Sequence, residues 1–193
     1  EVGLTKDYHK ASLYWNVYGQ FINNIVNRVN SVYNDTILNR IYTNAGKAQL
    51  LGSELGLTYS PIKNLKLFLG GNTYYLKMNG NLFNNAVSVA NGGWVYSINM
   101  NLNYQITSTF STQFNLSYLS AKNTAQGRDS RFYQPNISMK KNLLNNKMTV
   151  GLQWQNIAFG HMGVNEQRIS TWGNDFYSTT NYVQETNIFM INL

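Results

Sequence analysis

The sequence predicts an all-β fold, an antiparallel up-and-down meander of about eight or nine strands. The main observation is an alternation of apolar and polar residues, which places one set on each face of a strand. It is clearest from Trp94 to Ile106, where apolar side chains alternate mostly with amides. The same alternation recurs over residues 110–118 and 148–155. A helix would scatter these apolar residues around its axis, and Asn, Thr, Gly and Tyr are weak helix formers.

The alternation divides the chain into nine predicted strands joined by two kinds of connection. The strands are expected at residues 1–8, 11–29, 37–60, 64–79, 87–106, 109–122, 130–143, 147–158 and 178–193. Tight turns are expected at His9/Lys10, Pro61–Asn64, Thr107/Ser108 and Leu144–Asn146, and longer polar connections at Asn30–Asp35, Asn79–Asn85, Asn123–Asp129 and Phe159–Tyr177. Short turns at one end and long loops at the other are typical of outer-membrane β-barrels, so the sheet is predicted to be a segment of a transmembrane barrel.

The composition fits a protein whose outer surface meets lipid. Of the 193 residues, 12% are charged and 14% are aromatic, whereas Asn alone occupies thirty positions. A soluble domain usually carries about a quarter charged residues, and a barrel with an apolar outer band and an amide-lined interior needs fewer. No run of about eighteen apolar residues is present, while a barrel strand needs only about ten alternating ones. We therefore expect the cell outer membrane as location and its lipid as partner.

Aromatic residues gather toward the ends of the predicted strands, where rings can lie at the two membrane interfaces. They are Tyr59, Tyr74, Tyr75, Trp94, Tyr104, Phe110 and Tyr118. The alternative is that these rings only support strand pairing, as they do in any sheet. The uniformly polar opposite faces favour the interfacial interpretation.

The net charge of +7 raises the possibility of nucleic acid or anionic lipid as a partner. The cations are spread along the chain at about one per predicted segment, and only Lys140 and Lys141 are adjacent. No basic face is therefore predicted, and nucleic acid is not expected as a partner. Cysteine is absent, which excludes disulfides, thiol nucleophiles and cysteine metal sites.

The titratable residues predict no catalytic site, no metal site and no cofactor. His9 falls in a tight turn and His161 in a long connection at the opposite end, so the two histidines cannot share a site. His161 and Asp175 could form a base with its orienting acid, but two solvated loop residues explain the pair more simply. The acidic residues are isolated, and no calcium-loop ladder or phosphate-binding glycine loop is present. The chain is not expected to be an enzyme.

The connection Phe159–Tyr177 is the best candidate for ligand contact. Its aromatic, amide and acid side chains suit sugars or siderophores, and they are Trp172, Asn174, Asp175, Phe176 and Tyr177. The alternative is that Trp172 and Phe176 only pack the loop onto the rim of the barrel.

The ends of the sequence predict a piece of a larger barrel. The chain opens and stops within alternating segments, and the predicted strand count is odd, whereas single-chain bacterial barrels have an even number. Residues 1–193 are therefore interpreted as a single barrel segment that is truncated at both ends. Its edge segments near Val2 and Ile191 are not expected to pair with each other.

Three stretches resemble the C-terminal barrel portion of TonB-dependent outer-membrane receptors, including the SusC-like glycan importers and related outer-membrane β-barrel proteins. They run from Tyr42 to Asn72, from Arg131 to Phe159 and from Gln167 to Leu193. The family's Asn-x-Gly, Gly-x-Glu and Tyr-x-Pro pattern is matched by Asn44, Gly46, Gly52, Glu54, Tyr59 and Pro61. In physical terms, Pro61 is expected to open a turn, and Gly52 and Gly56 to relieve crowding on an inner face toward which Glu54 points.

The resemblance implies a receptor that imports a bulky nutrient, a glycan or a siderophore, with energy supplied from the inner membrane. It implies as partners the rest of the barrel, an N-terminal plug domain, an energy-coupling protein and a surface lipoprotein. The plug domain and the remaining strands are expected to lie outside this sequence. Two other functions fit the sequence: a small stand-alone barrel of eight strands with a structural or adhesive role, and a soluble barrel that carries a lipid in its interior.

Overall fold

The computed structural model describes residues 1–33, 37–44, 46–82, 87–159 and 166–193. Within these ranges, no helix is long and apolar enough to cross a membrane. Asp35, His161 and parts of the predicted long connections lie outside the described residues.

The strands of the described part are β1 (Val2–Asp7), β2 (Ala11–Asn23), β3 (Val26–Tyr33), β4 (Ile37–Asn44), β5 (Lys47–Ile62), β6 (Leu65–Leu82), β7 (Val87–Thr107), β8 (Phe110–Leu119), β9 (Lys122–Thr124), β10 (Gly127–Asp129), β11 (Phe132–Leu143), β12 (Met148–Gln155), β13 (Glu166–Trp172), β14 (Tyr177–Val183) and β15 (Ile188–Asn192).

Nine of these strands form one antiparallel sheet, in the order β1-β2-β5-β6-β7-β8-β11-β12-β15. The order follows the chain, with shorter strands inserted between some of the neighbours, so the predicted meander is confirmed. In the described residues, β1 pairs only with β2 and β15 pairs only with β12. The sheet is therefore open, as expected for edge segments that do not pair with each other.

The tight turns all lie at one end of the sheet. The turn between β5 and β6 is Lys63–Asn64, and Pro61 lies within β5 at an irregularity in the pairing with β6 rather than opening the turn. Proline is tolerated there because a bulge leaves its missing N–H without a ladder partner. The turn between β11 and β12 has left-handed backbone at Leu144, Asn145 and Asn146.

The long connections at the other end contain strands that the sequence did not predict. β3 and β4 pair as a hairpin, and β14-β13-β10-β9 form a four-stranded sheet. The predicted strands 11–29, 37–60 and 178–193 are each interrupted, at Asn24, at Gly46 and near Asn187, all of which have positive φ. A left-handed residue turns the chain out of the extended ladder, which ends one strand and frees the next to pair elsewhere.

The two faces of the main sheet differ sharply, and we call them the apolar face and the polar face. Antiparallel register places Leu55, Gly71, Ile98 and Tyr118 in one row of the apolar face. Trp94 is 63% exposed and Ile98 is 41% exposed. The prediction that the alternating set led by Trp94, Ile98 and Leu102 faces outward, and is not enclosed in a dry core, is confirmed, with Leu102 partly exposed.

A small apolar core lies at the loop end of the polar face. Val29 of the β3–β4 hairpin packs with inward side chains of β5 and β6, and the cluster comprises Val29, Ala48, Met78, Leu82 and Ala125. Buried hydrogen bonds hold the hairpin in place: Asn30 N donates to Gln126 Oε1 at 2.6 Å, and Asn30 Nδ2 donates to Thr171 Oγ1 at 2.7 Å. The loop elements therefore fold over the polar face and fill its upper part.

Candidate functional site

Below the loop-end core, the polar face is lined by amides and hydroxyls. Asn101 Nδ2 donates to Asn115 Oδ1, which also accepts from Gln113 Nε2 at 3.1 Å. On the next row, Ser117 Oγ donates to Asn99 Oδ1 at 3.1 Å. Such neutral groups bind one another and water without fixing charge, as a water-filled barrel interior requires.

Two tyrosine rings lie across glycines on the same face. The Tyr14 ring covers Gly56, and Tyr18 covers Gly52, where an added Cβ would lie 2.5 Å from Tyr18 Cζ. Tyr18 Oη donates to Asn72 Oδ1 at 2.8 Å. Glu54 lies between these two glycines on the polar face, so the predicted inward positions of Gly52, Gly56 and Glu54 are confirmed.

A cationic cleft occupies the tight-turn end of the polar face. It has a volume of about 490 Å³ and is lined by Lys63, Lys66 and Lys140 together with neutral side chains such as Asn103 and Gln113. No acidic residue is among its lining residues. The inner surface of the wall is therefore positive near the turns, whereas at mid-height it is lined mainly by amides and hydroxyls, with the acidic Glu54 among them.

The apolar face carries aromatic residues at both ends. Toward the loops, Tyr75 and Trp94 meet edge to face at 5.6 Å, and Tyr96 stacks on Tyr118 at 5.8 Å between ring centroids. Toward the turns, Tyr104 is exposed on the same face. Tyr104 lies ten residues after Trp94 in β7, which is about 33 Å along the strand and about 23 Å across a membrane at a tilt of about 45°.

This spacing matches the apolar band of an outer-membrane barrel, which is about 25 Å tall. A family model described as the outer membrane protein beta-barrel family matches residues 1–193. The chain belongs to this family. No curated protein and no solved structure matches the chain significantly.

The outer-membrane barrel family places the apolar face against lipid and the long connections outside the cell. The localisation in the outer membrane, expected from the sequence, is confirmed. A soluble barrel that carries a lipid does not fit this localisation.

The prediction of the aromatic belt is wrong for one ring. Tyr74 lies on the polar face beside Gly52, because neighbouring residues Tyr74 and Tyr75 must point to opposite faces of β6.

The candidate ligand residues of the barrel divide into two pairs. Trp172 ends β13 and Tyr177 begins β14, where they are directly opposite each other and exposed. Asn174 and Asp175 are exposed in the short turn between them. Gly173 N donates to Phe176 O at 3.0 Å to close this turn. The predicted loop is therefore the end of a hairpin, and the ligand role of Trp172, Asn174, Asp175 and Tyr177 stays a prediction.

Trp172 and Tyr177 do not face the barrel interior. They line a cavity with Tyr96 and Tyr118, which belong to the apolar face. Hydrogen bonds with Ser170 and Thr179, and the nearby Arg168, lower the pKa of Tyr177. A solute crossing the lumen would not meet this surface, whereas a lipid beside the wall would.

The linear pattern of residues does not indicate that three arginines meet on this outer surface. Arg128, Arg131 and Arg168 line the same cavity as Trp172 and Tyr177. Pairing of β10 with β13 places Arg128 opposite Ser170, two residues from Arg168. The expectation that no basic face can be drawn is therefore wrong at this rim, because strand pairing joins cations that are forty residues apart in the chain.

Histidine and acidic residues form no cluster in the described part of the barrel. His9 lies in the turn between β1 and β2. No group of three or more His, Cys, Asp or Glu residues that could hold a metal occurs within the described ranges. The described residues contain two ion pairs. One joins Arg168 and Glu166, and the other joins Lys122 and Asp129 at 3.6 Å, next to the loop-end hairpins.

The assignment of the two faces is testable by fluorescence quenching in vesicles. A variant that keeps Trp94 alone, with Trp15, Trp154 and Trp172 replaced by Phe, is expected to be quenched strongly by lipids brominated on their acyl chains. In a tryptophan-free background, Asn99→Trp is expected to be quenched by aqueous iodide instead, because Asn99 lies on the polar face. Exchange of the two quenching patterns would contradict the assigned faces.

Proposed function

We propose that the chain is part of the wall of an outer-membrane receptor that imports a bulky nutrient, a glycan or a siderophore complex, by an energy-coupled mechanism. The observation that carries the proposal is the polar face of an open nine-stranded sheet. Eight strands suffice to close a barrel whose interior is filled by side chains, and an aqueous lumen needs more. A nine-stranded wall whose edges stay unpaired in the described residues supports the wider barrel.

The chemistry of the polar face supports a sugar or chelate as cargo. Neutral amides and hydroxyls, together with the Tyr14 and Tyr18 rings, offer hydrogen bonds and flat apolar surfaces. Sugars use the same combination of contacts. The proposed receptor takes its plug domain, an energy-coupling protein and a surface lipoprotein as further partners, and it involves no catalytic step and no cofactor.

A stand-alone barrel with a structural or adhesive role is the second candidate. Packing of the β3–β4 hairpin against Ala48, Met78 and Leu82 favours it, because this apolar core narrows the loop end of the interior. A barrel that only anchors or adheres does not need an open lumen. In a receptor, the same hairpin would have to move or lie beside the path of the cargo.

The size of the native polypeptide distinguishes the two candidates without knowledge of the cargo. An antibody raised against this chain is expected to detect, in outer membranes, a protein several times heavier than the chain's 22.0 kDa. Deletion of its gene is expected to abolish uptake of at least one of three probes, maltoheptaose, inulin and ferrichrome, in a manner that a protonophore reproduces. A band near the mass of this chain, with uptake of all three probes intact, would favour the stand-alone barrel.

A further inference from the structure

Two adjoining cavities lie on the outer surface of the wall, at the border between membrane and loops. One is an apolar groove of about 520 Å³, and the other is a basic cavity of about 530 Å³. Tyr96, Tyr118 and Arg131 line both. The two cavities therefore form one continuous depression, apolar below and cationic above.

The shape and chemistry of the groove fit an acyl chain. Ile98, Phe114 and Leu116 supply its apolar side chains, and the rings of Tyr118, Tyr133 and Phe159 line the rest. These residues belong to the region that the barrel family turns toward lipid. A hydrocarbon chain that lies in such a groove gains contacts on several sides rather than one.

Tyr133 adds a polar group to this apolar groove. Its side chain is 8% exposed, and its Oη has no hydrogen-bond partner within the described residues. Buried hydroxyls without a partner are uncommon in folded proteins. The hydroxyl itself is buried, so an ester or amide carbonyl of an acylated lipid in the groove becomes its partner only when the Tyr133 ring turns toward the lipid.

The basic cavity lies next to the aromatic residues, at the height of lipid headgroups. Arg131 lies just before β11, and Arg128 and Arg168 project from β10 and β13 on the same side as Ser170. Two hydrogen bonds join Ser130 to Arg168, because Ser130 N donates to Arg168 O and Arg168 N donates to Ser130 Oγ, both at 2.8 Å. Two of the three guanidinium groups, those of Arg128 and Arg168, are therefore carried by paired strands, and Arg131 follows directly after the bonded Ser130.

These arginines are only partly neutralised by the protein. Arg168 pairs loosely with Glu166, at 3.8 Å from Nη2 to Oε1, and its Nε donates to Asn181 Oδ1 at 3.1 Å. Arg128 and Arg131 form no ion pair within the described part of the chain. Planar guanidinium groups bind phosphate through paired hydrogen bonds, which makes phosphate the fitting counter-ion.

We propose that this depression binds one phosphorylated, acylated saccharolipid of the outer leaflet. The lipid's acyl chain lies in the groove of Ile98, Leu116 and Tyr133, and its phosphate lies between Arg128, Arg131 and Arg168. The loop end of an outer-membrane barrel faces the outside of the cell, and the outer leaflet there is built from such lipids. The proposal depends on the outer-membrane location and not on whether the barrel imports a nutrient.

The test counts the lipid that stays bound to the full-length protein purified from outer membranes in mild detergent. Lipid A released by mild acid is expected at about one molecule per protein in the wild type. Replacement of Arg128, Arg131 and Arg168 by Gln is expected to reduce this by about tenfold or more, since each phosphate bond to a charged donor is lost. The matched control replaces Lys63, Lys66 and Lys140 by Gln, which removes three charges at the opposite end and is expected to leave the count unchanged.

A second variant tests the acyl groove with the arginines intact. Ile98→Trp places a larger apolar side chain in the groove, and it is expected to lower the amount of retained lipid while folding normally, as judged by heat-dependent migration on a denaturing gel. Equal lipid counts in the arginine variant and the lysine control would overturn the proposal. Displacement of the lipid by inorganic phosphate, with no effect of Ile98→Trp, would reduce the site to a general anion site and would overturn it as well.

Discussion

Replacing Ile98 with Arg is expected to make insertion of the barrel less favourable by about 2–4 kcal/mol, which is the cost of a cation near the middle of the bilayer. Ile98 lies between the aromatic residues Trp94 and Tyr104 on the apolar face of β7. Asn99→Arg is expected to be much milder, because Asn99 lies on the polar face, where it accepts a hydrogen bond from Ser117. A urea refolding titration of the full-length protein into phospholipid vesicles measures both effects.

The control for this experiment is an arginine placed at a different depth in the membrane. Ile106 lies at the irregularity in the pairing of β7 with β8, is as exposed as Ile98, and falls beyond Tyr104 toward the turn. Arginine at this position is expected to cost about 0–1 kcal/mol, because it reaches the interface. Equal costs for Ile98→Arg and Asn99→Arg would contradict the assignment of the faces, and equal costs for Ile98→Arg and Ile106→Arg would contradict the assigned depth.

The main sheet was predictable because alternation is a local property of a strand. Each residue of β7 faces lipid or the interior, and this choice repeats every second residue whatever the partner strand is. Loop asymmetry then indicated the barrel. The outward positions of Trp94 and Ile98 and the inward positions of Gly52, Gly56 and Glu54 could all be deduced in this way.

The loop-end hairpins were not predictable by the same reasoning. β9 and β10 have three residues each, too few for a pattern. Asn24 and Asn187 end strands through left-handed backbone, but in a chain with thirty asparagines the residue type alone does not mark such a site. The β3–β4 hairpin is held by Asn30, Gln126 and Thr171, which are widely separated in the chain and meet only after folding.

The candidate site was predictable in part for the same reason. Trp172 and Tyr177 stood out as rings in a polar segment, and they do share a cavity. The basic side of that cavity comes from three arginines, of which two lie in the connection before β11 and one lies in β13. Their meeting depends on the pairing of β10 with β13, which a one-dimensional pattern does not contain.

The packing of Tyr14 on Gly56 is the feature of the polar face with the sharpest expected effect on stability. The two residues are directly opposite each other in β2 and β5, and Gly56 is in turn opposite Gly70. A Cβ added to Gly56 would overlap the Tyr14 ring at Cε1 and Cζ. Left-handed φ does not occur at Gly56, so the ring and not the backbone explains why glycine is needed. A ring that covers a strand glycine also shields its backbone from water.

Gly56→Ala is therefore expected to destabilise the folded barrel by about 1–3 kcal/mol, the range for overpacking a filled site. The matched control is Gly151→Ala on the polar face of β12, where the new Cβ lies 3.7 Å from Asn192 Cβ, an ordinary contact. It is expected to be neutral or to stabilise by about 0.4–1 kcal/mol, because alanine restricts the unfolded chain.

A double-mutant cycle separates the clash with Tyr14 from any other effect of the added methyl group. Tyr14→Ala removes the ring, so Gly56→Ala in that background is expected to cost much less than in the wild type, with a coupling of about 1–2 kcal/mol between the two positions. All four proteins are compared in the same vesicle refolding titration. Additive effects, with Gly56→Ala equally costly in both backgrounds, would show that the ring does not determine the need for glycine, and would leave crowding by the β6 backbone opposite Gly70 as the cause.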